Sequence, residues 1–337
     1  MSLNELWFLL IAVLFVGFFF LEGFDFGVGM ASRFISKNDT DRRVMINTIG
    51  PFWDANEVWF ITAAGAMFAA FPHWYATMFS GFYIPFTLLL LVLIARGVAF
   101  EFRSKLTAPA WRKVWDMCIL LGSMLPPLFL GIVFAAMIRG LPIGSDMEMH
   151  AGILDVFNPY TIMAGIALTV LCYLHGLNFL TLRTDGVIRE RAGRAARKLL
   201  PIQAVLLVIL VVWTYAATDI FDRRGLLLMI AVALGAGSVL LMGYMMKHKR
   251  EGWAFGLSGF LIILTIASFF IGLFPRVMIS SIDHIYDLTL MNAASGPYTL
   301  KTMTIVSLII LPFVLGYQAW SYFVFHKRVS SKDHLEY

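Results

Sequence analysis

The chain has 337 residues, of which 60% are hydrophobic and only 14% are charged. A soluble domain of this length carries about a quarter charged residues, so this composition excludes an ordinary soluble globule. The net charge of +5 would suit an anionic partner such as nucleic acid, but in a membrane protein it follows from the Lys/Arg excess of cytoplasmic loops. We therefore predict an all-α polytopic membrane protein.

Nine apolar runs follow one another along the chain, each about as long as the hydrocarbon core of a bilayer. They cover residues 5–30, 46–70, 76–98, 115–138, 158–182, 200–219, 225–246, 252–274 and 302–325. Backbone groups must be paired within lipid, so we expect these runs to be transmembrane helices. The longest hydrophilic stretch is only 183–199, so residues 1–337 are expected to form a single helical membrane domain.

Basic residues alternate between the connections. The connections after runs one, three, five and seven, and the segment after run nine, hold 20 of the 26 lysines and arginines. By the positive-inside rule these segments are cytoplasmic, which predicts an external N-terminus and a cytoplasmic C-terminus. The start of the chain, MSLNELWFLL, has no basic region before its apolar stretch, so we expect a retained first span and not a cleaved signal peptide.

Charged residues within the runs fall in the halves predicted to face the cytoplasm. Glu22 and Asp25 are three residues apart and share a helix face. Asp54 lies roughly eight residues into its run, Glu57 one turn deeper, and Arg96 near the basic end of the third run. Such charges usually face a bundle interior or a water-filled route. They predict an ion-paired network that fixes helix packing, with Arg96 bridging Asp25 or Asp54, or a proton route with Asp54 as the main relay, or both.

His175 also lies in the cytoplasmic half of its run. A low-spin heme takes two axial ligands, and the other histidines lie in or beside predicted loops: His73, His150, His248, His284, His326 and His334. Packing or hydrogen bonding is therefore the favoured role of His175. The sequence predicts no heme held by this chain alone. The two cysteines, Cys118 and Cys172, form no metal-binding motif, and no metal site is predicted.

Six segments closely resemble subunit II of the cytochrome bd quinol oxidases. The most specific are LEGFDFGVG (21–29), RRVMINTIGPFWDANEVWFITAAGAMFAAFP (42–72) and SGFYIPFTLLLLVLIARGVAFEFRSK (80–105). The resemblance continues in LHGLNFLTLRTDGVIRERA (174–192), GWAFGLSG (252–259) and TLKTMTIVSLIILPFVLGYQAWSYFVF (299–325). It covers most of the chain.

The resemblance implies a subunit, without a heme of its own, of a complex in the bacterial cytoplasmic membrane. That complex oxidises membrane quinol and reduces dioxygen to water. Its subunit I would carry two b-type hemes, one d-type heme and the quinol-oxidation loop. Small single-span accessory subunits are a further expectation from the family, and in some members this subunit binds a structural quinone.

The resemblance also implies roles for particular residues. Asp25, Asp54 and Arg96 match polar positions of the family, which implies a proton relay through Asp54 and Asp25 toward the d-type heme. Trp53, Arg96 and His175 are candidates for polar, interface or cofactor-facing roles. The family has Glu or Gln at position 57, so no proton role is assigned there.

Two other functions remain open from the sequence. Buried acids also drive proton-coupled transporters, although the chain shows no paired halves with matching broken segments. A pure scaffold that shields the partner's heme from lipid is the second alternative.

Overall fold

The protein is described by a computed structural model that covers residues 1–333 and 335. These residues form twelve α-helices and one two-stranded antiparallel sheet. The helices are α1 Leu3–Phe34, α2 Asp39–Ile49, α3 Trp53–Ala70, α4 Pro72–Gly81, α5 Tyr83–Phe102, α6 Pro109–Arg139, α7 Ile153–Val156, α8 Pro159–Arg183, α9 Gly186–Ala217, α10 Ile220–Lys247, α11 Glu251–Leu273 and α12 Pro297–Val324. The strands are β1 Arg276–Met278 and β2 Leu288–Thr289, which pair with each other.

Within the described chain, eight helices are long and apolar enough to cross a membrane: α1, α5, α6, α8, α9, α10, α11 and α12. They overlap eight of the nine predicted runs, so the all-α polytopic class is confirmed. The remaining run, 46–70, falls on the end of α2 and on α3. The first turns of α3 contain Asp54, Asn56 and Glu57, which lower its mean hydropathy.

Helix α3 nevertheless connects the two ends of the bundle. It follows α2, whose Asp39 accepts hydrogen bonds from Arg103, just after α5, and from Arg112, in the first turn of α6. It finishes where the backbone N–H of Ser295, in the α11–α12 connection, donates to the carbonyl of Ala70 at 2.9 Å. Its 18 residues span about 27 Å, close to the thickness of a hydrocarbon core. The count of nine spans remains a prediction.

Two boundaries differ from the sequence prediction. The run 76–98 is divided between α4 and α5 at Phe82, whose backbone is not helical. Pro85 has no N–H to donate to the carbonyl of Gly81, so a continuous helix would lose a hydrogen bond there. The hydrophilic stretch 183–199 is mostly helical and belongs to α9, because Ile188, Ala192 and Ala196 form a buried stripe along one face.

Ion pairs join the basic connections at one end of the bundle, which we call the basic end. This end carries the connections after α1, α5, α8 and α10 and the segment after α12. The pairs are Arg42–Asp116 (2.6 Å), Arg103–Asp116 (2.6 Å), Arg103–Asp39 (2.6 Å), Arg112–Asp39 (2.8 Å), Arg191–Asp41 (2.5 Å), Arg189–Glu251 (2.6 Å), Arg328–Asp185 (2.7 Å) and Arg328–Glu251 (3.2 Å). The five basic segments therefore meet at the same end, as their alternation predicts. The assignment of this end to the cytoplasm remains a prediction.

Helix α1 lies in the core of the bundle, packed against α3, α6, α8 and α11. Its closest approach is to α8, at Gly27 and Gly176. A Cβ atom on Gly27 would lie 2.2 Å from the carbonyl oxygen of Cys172 and 2.6 Å from the Cα of Gly176. The two backbones can approach this closely because both residues are glycine. The contact fixes the segment of α1 that carries Glu22 and Asp25.

Candidate functional site

Helix α1 places two carboxyl groups in the interior of the bundle. Glu22 and Asp25 both have 0% exposed surface. The neighbouring Phe19, Phe24 and Phe26 are also buried, so the apolar sequence that makes α1 a membrane helix encloses its two acids. Their spacing of one helical turn brings the two carboxyl groups close enough for their charges to interact.

Arg96 of α5 meets these acids. Its guanidinium forms an ion pair with Glu22, and both side chains are fully buried. The guanidinium carbon also lies 4.9 Å from the ring centroid of Phe26 and 5.2 Å from that of Phe100, a favourable cation–π arrangement. Gly122 of α6 makes room for the arginine, because a Cβ atom there would lie 2.4 Å from the Arg96 Cβ.

Asn56 of α3 connects Asp25 to α12. Its Nδ2 donates to Asp25 Oδ2 at 2.7 Å. Its Oδ1 accepts from the Tyr322 hydroxyl at 2.8 Å and from Gln318 Nε2 at 3.3 Å. Trp59 Nε1 in turn donates to Gln318 Oε1 at 2.9 Å. We call Glu22, Asp25, Asn56, Arg96 and Tyr322 the polar cluster.

Several buried atoms of the polar cluster have no hydrogen-bond partner within the described part of the chain. They are Glu22 Oε2, Asp25 Oδ1, and Arg96 Nε and Nη2. Buried polar atoms are nearly always satisfied in proteins, so such a group calls for a functional or solvent-based explanation. The cluster also joins two buried carboxyl groups to a single guanidinium. Its composition is therefore suited to exchanging protons as well as to holding helices together.

Asp54 lies outside the polar cluster. Its side chain is exposed, and it makes neither a hydrogen bond nor an ion pair with the described residues. The residue of α3 that reaches Asp25 is instead Asn56, two positions further on. Glu57 is half-buried and its charge interacts with that of Arg96. Sequence reasoning missed Asn56 because an amide gives no charge signal and the inward face of α3 was not known.

Trp53 also lies beside the cluster without joining it. Its half-buried ring packs against Phe100 with centroids 5.2 Å apart, and Phe100 in turn lies beneath the Arg96 guanidinium. A Cβ atom on Gly97 would lie 3.3 Å from the Trp53 ring. Trp53 therefore forms part of the apolar wall that encloses Arg96.

His175 occupies a separate position between α1, α8 and α11. Its side chain is fully buried, and its ring stacks on Phe255 at 4.6 Å. Its Nδ1 lies 2.7 Å from Ser258 Oγ and its Nε2 lies 3.1 Å from the carbonyl oxygen of Phe20. Both ring nitrogens are engaged, so axial ligation would require the loss of one of these hydrogen bonds. This environment fits a packing residue and does not fit a heme ligand.

The described residues contain no group of three or more His, Cys, Asp or Glu side chains placed to hold a metal ion.

Comparisons with known proteins agree on one family. The family model for cytochrome bd terminal oxidase subunit II matches residues 3–325. The chain is 53% identical over 336 residues to cytochrome bd ubiquinol oxidase subunit 2 of Bacillus subtilis (strain 168), covering 100% of this chain and 99% of the relative. It is 34% identical over 364 residues to cytochrome bd-I ubiquinol oxidase subunit 2 of Escherichia coli (strain K12), covering 98% and 96%.

A solved structure shares the fold. The bd oxidase from Geobacillus thermodenitrificans superposes with a TM-score of 0.80 at 16% sequence identity, covering 97% of this chain and 100% of the other. With the eight apolar helices, these matches indicate a multi-pass protein of a bacterial membrane. The chain belongs to the family of cytochrome bd terminal oxidase subunit II.

Proposed function

We propose that this chain works with a subunit I in a cytochrome bd-type quinol oxidase, and that its polar cluster passes protons from the basic end toward the oxygen-reducing d-type heme of that partner. The relatives' names, which refer to subunit 2 of a ubiquinol oxidase, support the first part. The proposed proton route rests on the burial of Asp25, whose Oδ1 has no hydrogen-bond partner in the described chain.

Reduction of dioxygen to water consumes one proton for each electron. If the protons are taken up at a cytoplasmic basic end while quinol releases its own protons outside, turnover builds a proton-motive force without a pump. The heme that binds oxygen would belong to subunit I. The task of this chain is to bring protons to the boundary with that subunit.

The residues of the polar cluster divide this task according to their chemistry. Arg96 stays protonated and supplies a fixed positive charge beside Glu22 and Asp25. A carboxyl group in a low-dielectric interior stays charged only beside a positively charged partner. Arg96 forms its ion pair with Glu22, so Asp25 is the acid that is free to gain and lose a proton. Asn56 cannot carry a proton easily, and two of its side-chain hydrogen bonds instead orient Asp25 and Tyr322.

Asp54 is proposed to lie at the boundary with subunit I. Its exposure in the isolated chain is what a residue at such an interface would show. Helix α12, which contacts α3 through the hydrogen bond between Gln318 and Trp59, has Leu300 as its one buried residue within the described chain. A partner packed over α3 and α12 would enclose Asp54 and join it to the polar cluster.

We propose further that a structural quinone, expected from the family, would use the apolar cavity between α6, α8, α9, α10 and α11. This cavity has a volume of about 540 Å³. Its walls are almost entirely apolar, which suits an isoprenoid chain. Among the lining residues, the buried Tyr160 and Thr214 have hydroxyls 3.1 Å apart, which could instead donate to quinone carbonyls. Mass spectrometry of an organic extract of the purified complex would detect the quinone.

The test of the proton route uses the whole complex. Asp25→Asn and Asp54→Asn are each compared with Asp222→Asn, which changes an exposed carboxylate in the first turn of α10. A redox difference spectrum measures heme content, and oxygen consumption with quinol measures turnover. Retained heme with slowed turnover in the first two variants is the expected result. Retained heme with full turnover would favour a pure scaffold, and lost heme would indicate a role in assembly.

A further inference from the structure

A second cavity lies at the basic end, away from the polar cluster. It has a volume of about 500 Å³ and lies between the C-terminal half of α8, the start of α9 and the turn from α10 to α11. Five basic side chains line it: Arg189, Arg194, Arg197, Lys249 and Arg250. Two acids, Glu190 and Glu251, also line it.

The positive charge of this basic cavity is mostly unbalanced. Arg189 forms an ion pair with Glu251 and donates two hydrogen bonds to its carboxylate, at 2.6 and 2.9 Å. The other four basic residues of the cavity form no ion pair within the described residues. Helix α11 also begins here, at Glu251, and its N-terminus has no side-chain cap. The first N–H groups of that helix add positive partial charge to the same place.

The backbone of Lys249 belongs to the turn that ends α10. Lys249 has a φ of +56°, a left-handed conformation in which glycine is the usual residue. This conformation closes the helix end, where the Arg250 N–H donates to the Met245 carbonyl at 3.0 Å. Glycine adopts the same conformation without the steric cost that a lysine Cβ brings, so the turn itself does not require the lysine side chain that lines the basic cavity.

The surroundings indicate the depth of the cavity in the membrane. Tyr244, near the end of α10, and Trp253, near the start of α11, are both exposed, at 56% and 65%. Exposed Tyr and Trp at the ends of membrane helices typically lie at headgroup level. The buried Met246 and Ala254 add apolar lining to the cavity.

We propose that this basic cavity binds the phosphate group of an anionic phospholipid. Lys249, Arg250, Arg194 and Arg197 contact the phosphate, and the acyl chains run along the exposed apolar faces of α9 and α10. Basic pockets between membrane helices on the cytoplasmic side commonly bind such headgroups. A free phosphate ion shares the recognition chemistry, but the headgroup depth and the adjoining apolar faces favour the lipid.

The test measures lipid binding by native mass spectrometry on the delipidated whole complex. Phosphatidylglycerol is expected to bind, and phosphatidylcholine to bind much more weakly. Lys249→Gln is expected to weaken phosphatidylglycerol binding about fivefold, because it removes one of the basic side chains that line the cavity and contact the phosphate. Lys247→Gln removes the same charge two residues earlier on α10, outside the cavity, and should leave binding unchanged.

A second variant distinguishes a loss of lipid binding from a loss of folding stability. Lys249→Gly relieves the backbone strain, so the thermal unfolding midpoint should stay level or rise while phosphatidylglycerol binding falls. Inorganic phosphate at lipid-equivalent concentrations should not displace phosphatidylglycerol. Equal lipid binding by the Lys249→Gln and Lys247→Gln complexes, or displacement by phosphate at such concentrations, would overturn the proposal.

Discussion

Arg96 of α5 and Glu22 of α1 form an ion pair in which neither side chain has any exposed surface. The pair joins two membrane helices at the depth where Asp25 is also buried. Forming a buried ion pair costs desolvation that its attraction only partly offsets, whereas breaking such a pair by removing one partner is strongly destabilising. The pair therefore couples the packing of α1 and α5 to the charge state of the polar cluster.

The first prediction concerns this pair. Arg96→Gln leaves Glu22 without its partner and is expected to destabilise the complex by about 3 to 5 kcal/mol. Glu22→Gln leaves the guanidinium unpaired and should also be costly. The double variant removes both charges, so its loss of stability should be smaller than the sum of the single losses. Thermal unfolding of the three purified complexes measures this, and additive losses would refute the coupling.

The second prediction concerns the contact between α1 and α8. Gly176→Ala introduces a Cβ that would lie 2.4 Å from the backbone of Gly27, so the two helices must separate. Overpacking of this kind costs about 1 to 3 kcal/mol. Gly237→Ala, in α10, meets nothing within 4 Å and should be neutral or slightly stabilising because alanine favours helix. Unfolding midpoints that do not differ between the two variants would contradict the close approach.

The third prediction concerns the orientation of Asp25 through Asn56. Tyr322→Phe removes the hydroxyl that donates to Asn56 Oδ1 at 2.8 Å, which should cost about 1 kcal/mol and slow oxygen consumption. Tyr215→Phe removes a hydroxyl from a 67% exposed tyrosine of α9, a helix that packs against α8 and α10, and serves as the control. Turnover that is equal in the two variants would show that Tyr322 does not orient the relay.

Much of the fold could be predicted from the sequence because the physics of the bilayer is so restrictive. Run length and the positions of Lys and Arg were enough to predict eight spans that the structure bears out, and the grouping of the basic segments at one end. The division at Phe82 and the helical start of α9 were missed. The first depends on the missing N–H of Pro85, and the second on a buried stripe whose partner helices were not known.

The candidate site was predictable in part. Glu22 and Asp25 share a helix face because of their spacing, and the depth of Arg96 predicted an ion pair with a buried acid. The expected partner was Asp25 or Asp54, whereas the ion pair forms with Glu22. Sequence alone could not determine the rotation of α3, which turns Asn56 toward Asp25 and leaves Asp54 on the outside. Helix rotation in a membrane is set by packing against neighbours and not by local sequence.

The fourth prediction concerns pH and Asp39 at the basic end. Burial disfavours its charged form, but the hydrogen bond and charge of Arg103, with the charge of Arg112, outweigh this effect and hold the pKa of Asp39 below its ordinary value of 3.8. A lowered folded-state pKa contributes stability that is fully present above the ordinary value and is lost as the pH falls through the folded value.

Asp39→Asn should therefore lower the unfolding midpoint at about pH 7, and the difference from the native chain should narrow at about pH 3, below the ordinary value of 3.8. The effect should stay below about 1 kcal/mol because the carboxylate is partly exposed. Thermal unfolding at the two pH values measures it. A difference of the same size at both would show that the ion pairs do not carry the effect.

The most direct test of the proton route is the rate of proton uptake during a single turnover with dioxygen. The fully reduced complex is reconstituted in liposomes with the basic end facing the pH indicator, and Asp25→Asn is compared with Asp222→Asn. The account predicts an unchanged heme spectrum in both variants and proton uptake slowed about 10²-fold in Asp25→Asn alone. Proton uptake at the native rate in an Asp25→Asn complex with full heme content would contradict it.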